Sequence, residues 1–269
     1  IGISGEHKVN LGDLLDAIIG KFEKTNTVQE EEVLSIAVLG RPNAGKSSLV
    51  NKILNKERSI VSDIAGTTRD SIDSDFKYKN RKYRIIDTAG IRRKSKIDDP
   101  IEYYSVLRAI KAITRSDVCI LMLDSTELVT EQDKRVAGLI HDEKKPLIIA
   151  INKWDLIEKD NYTFDSYKKQ VYSKLAYLKY APIIFMSVLT GKRVNNIFEM
   201  INEVDKNNSL RVPTGLLNDV IAEAIAITQP PSDKGRRLKV YYATQVSIRP
   251  PTFVIFVNSK PLMHFSYVR

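Results

Sequence analysis

Cysteine, histidine and long apolar runs are all scarce in this sequence of 269 residues. The single cysteine, Cys119, has no second thiol with which to form an internal disulfide, and it lies within the apolar run 118–123. We therefore predict that Cys119 is a small core residue of a protein in a reducing compartment. The three histidines are scattered, with no cysteine or carboxylate cluster at metal-ligand spacing, so the sequence predicts no zinc site.

Membrane-spanning segments are also missing from the sequence. No apolar run approaches the roughly 18 to 20 residues that a membrane-spanning helix needs, and no secretory signal is present. We therefore expect a cytoplasmic protein without a membrane partner. A hydrophobic content of 43% and a charged content of 28% are ordinary for a globular protein, and the length favours about two domains.

The net charge of +9 is concentrated towards the C-terminal end. Residues 206–269 hold nine lysines and arginines against three acidic residues, so this segment carries +6 of the total. A basic segment beside a nearly balanced one favours a polyanionic partner, with RNA as the leading candidate. The alternative is a solvated basic surface that only keeps the protein soluble.

Apolar strand patterns alternate with amphipathic helical patterns along most of the chain. The strand-like runs are 34–39, 83–86, 118–123, 147–151 and 183–186, and the helical patterns are 46–55, 102–114, 131–141, 165–179 and 194–204. This alternation predicts an α/β fold whose mostly parallel sheet has helices on both faces. Segment 77–84 leaves no room for a helix before Asp87, so we predict an antiparallel edge strand that turns at Lys79-Asn80.

The two ends of the chain depart from this pattern. Beyond residue 208, a helical pattern over 216–227 precedes strand-like segments at 238–246 and 253–257, which predicts a small α+β module. At the other end, aligning Ser4 with Ser187 without gaps makes the apolar positions that follow coincide. Such a repeat predicts that the chain starts inside an upstream copy of the same domain, and an unrelated capping helix is the alternative. The predicted domains are therefore an upstream remnant (1–26), an acidic linker (27–34), a nucleotide-binding domain (35–207) and a C-terminal module (208–269).

Segment 40–47, Gly-Arg-Pro-Asn-Ala-Gly-Lys-Ser, matches the G-x-x-x-x-G-K-[ST] pattern of a phosphate-binding loop between a strand and a helix. We expect its backbone N–H groups to converge on phosphate oxygens, while Gly40 and Gly45 allow the tight turn. The Lys46 ammonium is expected between the β- and γ-phosphates, and the Ser47 hydroxyl is placed to bind Mg²⁺.

Asp87 follows an apolar strand, so its carboxylate is expected at the carboxyl edge of the sheet, where it can hold Mg²⁺ through water. Thr68 is the preferred second hydroxyl on Mg²⁺, with its neighbour Thr67 as the alternative. The Gly90 N–H is expected to sense the γ-phosphate. Loss of that phosphate would remove both contacts, so the two loops are predicted to switch with the nucleotide.

Segment 152–155, Asn-Lys-Trp-Asp, follows the predicted strand 147–151 and indicates a preference for guanine. A buried Asp155 carboxylate would accept two hydrogen bonds from guanine and would remain unpaired with adenine. The stem of Lys153 is expected to cover the purine face, and Ser187 begins the loop that closes over the base. Trp154 is expected to pack rather than to take part in chemistry.

Ile91 stands directly after the Asp-Thr-Ala-Gly motif of 87–90, where Ras-like enzymes place a glutamine that orients water. An isoleucine cannot orient a nucleophilic water by hydrogen bonding. Either hydrolysis is lost, therefore, or another element supplies this function. Asn43 in the phosphate loop is the candidate for the second option.

The chain strongly resembles the tandem-domain bacterial GTPase family Der, also called EngA. The resemblance covers nearly all of it, through segments 40–47, 63–70, 87–94, 104–109, 152–155, 229–231 and 235–237. Segments 90–94, Gly-Ile-Arg-Arg-Lys, and 104–109, Tyr-Ser-Val-Leu-Arg-Ala, are the more family-specific. The resemblance implies two P-loop GTPase domains followed by a KH-like domain, and a role in maturing the large ribosomal subunit.

The resemblance carries further implications for this chain. Residues 1–26 would be the end of the first GTPase domain, and the KH-like domain would lack its final helix and strand. The upstream GTPase domain would pack on the KH-like domain, and we expect a monomer. In several related proteins the asparagine that matches Asn43 helps to bind potassium, which implies hydrolysis accelerated by K⁺.

The KH-like module departs from its pattern in one respect. RNA-binding KH domains use a G-x-x-G loop, and the two glycines of this module, Gly215 and Gly235, do not form one. Two roles therefore stay open for its basic residues: phosphate contacts with RNA, or docking against the upstream domain. The residues concerned are Lys234, Arg236, Arg237 and Lys239.

The predicted residues of the nucleotide site fall into three groups. Catalytic roles are predicted for Lys46, Thr68, Gly90 and Asn43. Nucleotide contacts are predicted for Gly40, Arg41, Pro42, Asn43, Ala44, Gly45, Lys46, Ser47, Ser48, Asp87, Thr88, Ala89, Gly90, Ile91, Asn152, Lys153, Trp154, Asp155, Ser187 and Val188. Metal contacts are predicted for Ser47, Thr68 and Asp87 with Mg²⁺, and for Asn43 with K⁺.

The leading functional hypothesis is a GTP-binding and GTP-hydrolysing switch that acts on the large ribosomal subunit or its rRNA. Its cofactors would be Mg²⁺ and K⁺, with GTP as substrate and GDP as product. The alternative is a nucleotide-gated RNA- or ribosome-binding scaffold whose hydrolysis depends on a partner, and Ile91 keeps this alternative open. A GTPase domain of tRNA modification or membrane transport is disfavoured by the basic C-terminal module and by the lack of a membrane segment.

Overall fold

The computed structural model describes residues 33–56, 73–88, 102–230, 232–233 and 236–263. The predicted upstream remnant (1–26) and all but the last two residues of the predicted linker (27–34) lie outside these ranges. The internal repeat therefore stays a prediction.

A six-stranded sheet forms the centre of the nucleotide-binding region. Its strands are β1 (Leu34–Leu39), β2 (Ser74–Tyr78), β3 (Arg81–Ile85), β4 (Val118–Asp124), β5 (Leu147–Asn152) and β6 (Ile183–Phe185). They lie in the order β2-β3-β1-β4-β5-β6. Only β2 runs antiparallel, and it pairs with β3 across the turn at Lys79-Asn80. The predicted mostly parallel sheet with an antiparallel edge strand is confirmed.

In the part of the chain that the structure describes, five helices cover the two faces of this sheet. They are α1 (Lys46–Lys56), α2 (Glu102–Arg115), α3 (Glu131–Asp142), α4 (Thr163–Lys174) and α5 (Asn196–Asn208). Side chains alternate between faces along a strand, so Val38 packs in a cluster with Leu49 of α1 and Phe198 of α5. Its neighbour Leu39 packs in a second cluster with helices α2, α3 and α4. The buried Cys119 belongs to the second cluster, as predicted.

The helix predicted over 165–179 is wrong at its C-terminal end. Helix α4 ends at Lys174, because Leu175 leaves the helical region with φ −121° and ψ 52°. A short 3-10 turn, Ala176–Leu178, follows. Leu175 and Leu178 are both fully buried. Three residues make one full turn of a 3-10 helix, so the two side chains lie on the same face, whereas three residues of an α-helix turn through only about 300°.

The C-terminal module contains helix α6 (Thr214–Ile227) and four strands, β7 (Ser232–Asp233), β8 (Arg236–Arg237), β9 (Val240–Ser247) and β10 (Thr252–Val257). Strands β9 and β10 form an antiparallel hairpin. The Asn218 side chain of α6 donates to the Ala243 carbonyl oxygen at 2.9 Å and accepts from the Ala243 N–H at 2.8 Å. The predicted small α+β module is confirmed.

Side chains tie this module to α5. The buried Gln245 accepts a hydrogen bond from the Val212 N–H at 2.7 Å, which fixes the connecting segment. The buried Asp205 carboxylate of α5 lies 3.4 Å from the Arg249 guanidinium. The domain boundary predicted at 207/208 falls in the last residues of α5 and stays a prediction.

Candidate nucleotide-binding site

The phosphate loop lies between β1 and α1 and needs glycine at two positions. Gly40 has φ +137° and Gly45 has φ +102°, which side-chain-bearing residues rarely adopt. A Cβ at Gly40 would lie 2.5 Å from the Met122 carbonyl oxygen, and a Cβ at Gly45 would lie 2.1 Å from Nδ2 of Asn152. Both contacts are too short, so the loop holds this shape only with glycine there.

Helix α1 begins directly after the loop, at Lys46. The Leu49 N–H donates to the Gly45 carbonyl oxygen at 2.9 Å, and the Lys46 Nζ reaches back to the Arg41 carbonyl oxygen at 2.5 Å. The N-terminal N–H groups and the dipole of helix α1 favour an anion at this end of the helix. Pro42 and the left-handed Asn43 (φ 63°) are exposed.

Asp87 lies at the same edge of the sheet as the phosphate loop, because β1 and β3 run parallel. Its backbone is left-handed (φ 57°), and its N–H donates to the Asp73 carboxylate at 3.0 Å. The hydroxyls of the buried Thr88 and of Ser74 lie 3.0 Å apart. The remaining predicted switch residues lie outside the described residues: Thr67, Thr68, Ala89, Gly90 and Ile91.

Asn152 joins the phosphate loop to the loop that begins at Ser187. Its Nδ2 donates to the Ala44 carbonyl oxygen at 2.9 Å, and its Oδ1 accepts from the Val188 N–H at 3.0 Å. The residue is 4% exposed. Its amide therefore fixes the spacing of two loops that the sequence assigned separately to the nucleotide.

Asp155 lies in the short 3-10 turn Trp154–Leu156. Its carboxylate is exposed, because the turn that follows β5 carries this residue out to the surface. Its expected burial against a bound base stays a prediction. A hydrogen bond from the Ser187 side chain lowers the pKa of Asp155 below its ordinary value. The ionised carboxylate is ready to accept hydrogen bonds. Trp154 packs as expected, with its ring centroid 4.4 Å from the ring centroid of Phe185.

The loop after Ser187 is held by a residue that sequence reasoning missed. Lys52 of α1 donates through Nζ to the Val188 carbonyl oxygen at 2.5 Å and to the Leu189 carbonyl oxygen at 3.1 Å. The Ser187 hydroxyl also accepts from the Thr190 N–H at 3.1 Å. A lone lysine in a helical pattern gives no sequence signal that would single out Lys52.

Asp124 is the second residue that sequence reasoning missed. It ends β4 directly beside Asn152 at the end of β5. Its Oδ2 lies 2.6 Å from the Lys153 Nζ and 3.6 Å from the Arg41 guanidinium, while its Oδ1 accepts two hydrogen bonds from Thr126. Burial opposes ionisation of Asp124, but the bonds from Lys153 and Thr126 outweigh it and lower the pKa. The signal was available, because Asp124 ends an apolar run just as Asp87 does.

The C-terminal module presents three of its four predicted basic residues to solvent. Arg236, Arg237 and Lys239 are exposed, and Arg237 donates to the Gln229 side chain at 2.9 Å. Lys234 lies outside the described residues. Among the helices that the structure describes, none is both long and apolar enough to cross a membrane.

The sheet order, the glycine-dependent phosphate loop and the Asn-Lys-x-Asp loop at one sheet edge define a P-loop protein of the GTPase class. Residues 35–153 match a family described as "50S ribosome-binding GTPase". Residues 211–269 match a family described as "KH-domain-like of EngA bacterial GTPase enzymes, C-terminal".

Curated relatives identify the family more closely. GTPase Der of Fusobacterium nucleatum is 57% identical over 271 residues, which cover 100% of this chain and 62% of the relative. GTPase Der of Alkaliphilus oremlandii is 54% identical over 270 residues, which cover 100% of this chain and 61% of the relative. The chain belongs to the GTPase Der family, and it spans about three fifths of the length of these relatives.

Two solved structures share the fold. Era in complex with MgGDPNP and nucleotides 1506–1542 of 16S ribosomal RNA is 24% identical, with a TM-score of 0.50 over 84% of this chain and 78% of that one. Elongation factor SelB of Methanococcus maripaludis, in complex with the GTP analogue GppNHp, is 18% identical, with a TM-score of 0.50 over 67% of this chain and 35% of that one. At these identities the likeness concerns the fold alone.

Proposed function

We propose that this chain is a GTP-binding and GTP-hydrolysing switch that acts in the cytoplasm in assembly of the large ribosomal subunit. The observation that carries the proposal is the double hydrogen bond of Asn152, which ties Ala44 of the phosphate loop to Val188 of the base-closing loop. A nucleotide between these loops would have its phosphates at the start of α1 and its base beside Asp155.

The exposed, ionised Asp155 supplies the guanine selectivity in this proposal. Guanine offers it an N1–H and an amino group, whereas adenine presents an acceptor at N1. The Ser187 hydroxyl orients the carboxylate through the same hydrogen bond that lowers its pKa. Binding of the base would cover Asp155, so an adenine nucleotide would leave its charge desolvated without a partner.

The donor set at the sheet edge fits Mg²⁺. The Ser47 hydroxyl and the Asp87 carboxylate are oxygen donors of the kind that this cation prefers, and Thr68 is proposed as the third. When bound, the ion neutralises charge on the phosphates. The chain's own residues hold the phosphates through loop N–H groups and the Lys46 ammonium, while Gly90 senses the γ-phosphate.

Potassium is proposed as the second cation, bound in part by the Asn43 side chain. Asn43 is exposed at the loop tip with φ 63°, so its amide oxygen can approach a cation beside the phosphates without disturbing the core. A cation at this place would stabilise the negative charge of the transition state, which does not require a hydrogen-bonding side chain at position 91.

The proposed macromolecular partner is the large ribosomal subunit or its rRNA. The exposed Arg236, Arg237 and Lys239, with Lys234, give the module a basic surface for phosphate contacts. Docking of an upstream GTPase domain on the KH-like domain of a monomer is the competing use of this surface. RNA affinity that falls steeply with salt would support phosphate contacts, and a flat response would support docking.

Steady-state GTP hydrolysis in K⁺ and in Na⁺, with and without large ribosomal subunits, tests the proposal. We expect turnover by the chain alone in K⁺ and much slower turnover in Na⁺. Asn43→Ala should remove most of the difference between the cations, and Asn55→Ala, on the exposed side of α1, should retain it. Equal rates in the two cations would contradict the role of potassium.

The same experiment separates the second candidate function, a nucleotide-gated scaffold. Ile91 favours it, because this residue provides no hydrogen bond to a nucleophilic water. Tight GTP binding with no turnover until ribosomal subunits are added would mean that the partner supplies the catalytic element. Failure to bind guanine nucleotides at all would overturn both candidates.

A further inference from the structure

Asp124 lies between the two loops that the proposed function assigns to the nucleotide. Its side chain is 6% exposed, and its Oδ2 faces the Lys153 ammonium at 2.6 Å and the Arg41 guanidinium at 3.6 Å. Arg41 belongs to the phosphate loop and Lys153 to the base loop, so one carboxylate oxygen faces a cation from each. We call this arrangement the Asp124 bridge.

Arg41 has other acidic neighbours, and they differ from Asp124 in what they reach. Glu127 contacts the Arg41 guanidinium, but its side chain is 59% exposed. The fully buried Asp133 lies 3.9 Å from Arg41 Nε and accepts from Thr130 at the start of α3. Among the residues that the structure describes, Asp124 is the only one with ion pairs to both Arg41 and Lys153.

The bridge has consequences for side-chain freedom. Lys153 has a left-handed backbone (φ 60°), and its long side chain would otherwise sample many rotamers. The short charge-assisted bond to Asp124 holds the stem in one direction. Thr126 in turn fixes the carboxylate by donating from its N–H and its hydroxyl, at 3.0 and 2.8 Å. The orientation of Lys153 is therefore set before any base arrives.

We propose that Asp124 is a positioning residue that slows nucleotide release by holding the phosphate loop and the base loop in a fixed relation. The proposal rests on the proposed function, because it concerns the same nucleotide site. GDP and GTP share both loops, so their dissociation should respond by the same factor. Asp155 is not part of the bridge, so the preference for guanine over adenine should persist without it.

The test is the dissociation rate of N-methylanthraniloyl GDP, and of the corresponding GTP analogue, from the full chain. We expect Asp124→Asn to accelerate the dissociation of both nucleotides about tenfold, because the charge-assisted bond between Asp124 and Lys153 is lost. Lys153→Met, which keeps an apolar stem, should give a similar acceleration. The double variant should release nucleotide about as fast as Asp124→Asn alone, because that change already breaks the bond to Lys153.

Glu127→Gln is the matched control, because it removes a carboxylate partner of Arg41 without touching Lys153. A pair with one partner this exposed contributes little, so we expect less than about a twofold change. Thermal unfolding of each variant in the absence of nucleotide checks that it is folded. Lys153→Met tests the bridge even where Asp124→Asn does not fold.

The outcomes are distinct. Unchanged dissociation rates in Asp124→Asn and Lys153→Met would overturn the proposed role of Asp124 in nucleotide release, while the proposed function would stand. The proposed role of Asp124 would also be overturned if the accelerations of the two single variants multiplied in the double variant. An acceleration by Glu127→Gln equal to that of Asp124→Asn would overturn it as well. A wild-type chain that binds neither nucleotide would overturn the proposed function and the bridge together.

Discussion

The Asn152 side chain donates a hydrogen bond of 2.9 Å to the Ala44 carbonyl oxygen, 108 residues earlier in the chain. Through Oδ1 the same buried side chain accepts from the Val188 N–H at 3.0 Å. Two separate loops are therefore held together by one amide group, which has the donor and the acceptor that the arrangement needs.

Asn152→Ala should weaken guanine-nucleotide binding by about 100-fold and lower the free energy of unfolding by about 2–4 kcal/mol. The change leaves two buried backbone groups without a partner, at a cost of about 1–3 kcal/mol each. Titration calorimetry with GDP and urea denaturation measure the two effects. The control is Asn161→Ala, at an exposed asparagine, which should change neither; equal behaviour of the two variants would contradict the role of Asn152.

Gly45→Ala should abolish measurable nucleotide binding at micromolar protein. Its Cβ would lie 2.1 Å from Nδ2 of Asn152, and its φ of +102° is strained for alanine. The measurement is again calorimetry with GDP. Gly138→Ala is the matched control: no heavy atom lies within 4 Å of its Cβ position in helix α3, so this change should stabilise the protein by about 0.5–1 kcal/mol. Normal GDP affinity of Gly45→Ala would show that the loop does not need this shape.

Asp205→Asn should lower the free energy of unfolding by about 2 kcal/mol. The Asp205 side chain is 7% exposed and lies 2.6 Å from Arg81 and 3.4 Å from Arg249, which are 31% and 40% exposed. The partial exposure of both arginines keeps the loss below that of a fully buried pair. Urea denaturation, followed by circular dichroism, measures it.

The control for Asp205 makes the same chemical change at the surface. The Asp75 side chain is 56% exposed, and its carboxylate lies 2.6 Å from the Arg84 guanidinium. Asp75→Asn removes the charge of this carboxylate. Exposed pairs contribute little, so we expect a loss below about 0.5 kcal/mol. Similar losses in the two variants would mean that burial does not decide the strength of these pairs.

The Cys119 thiol should not react with Ellman's reagent at pH 8 until the protein unfolds. The residue is fully buried, and burial raises its pKa from 9.0 to about 11, against smaller opposing effects of Ser116 and Lys145. Since the thiolate is the reactive form, both access and charge oppose the reaction. One thiol per chain should react in guanidinium chloride; rapid reaction of the native protein would contradict the buried position.

The same thiol should affect stability at high pH. The unfolded thiol loses its proton near pH 9, while the folded thiol keeps its proton until about pH 11. The contribution of Cys119 is therefore complete below pH 9 and is lost as the pH rises towards 11. In Cys119→Ala this loss should disappear, so the stability difference between the two proteins should shrink over that range. A pH-independent difference would contradict the raised pKa.

The sequence determined the layers of the fold and most of the loops of the site. Buried parallel strands require continuous apolar runs, and covering helices require one apolar face, so periodicity alone located β1, β4 and β5. The phosphate loop was recognisable because its geometry admits only glycine at Gly40 and Gly45. Local steric rules of this kind are written in adjacent residues.

Only the tertiary structure decided which side chains meet across those loops. The contacts of Asp124 with Lys153 and of Lys52 with Val188 join residues 29 and 136 positions apart. No local pattern records such pairs, because the register of neighbouring strands and helices sets them. The exposure of Asp155 and the end of α4 at Lys174 were likewise decided by packing. Periodicity reports which face of an element is apolar, whereas a polar contact depends on where a second element places its partner.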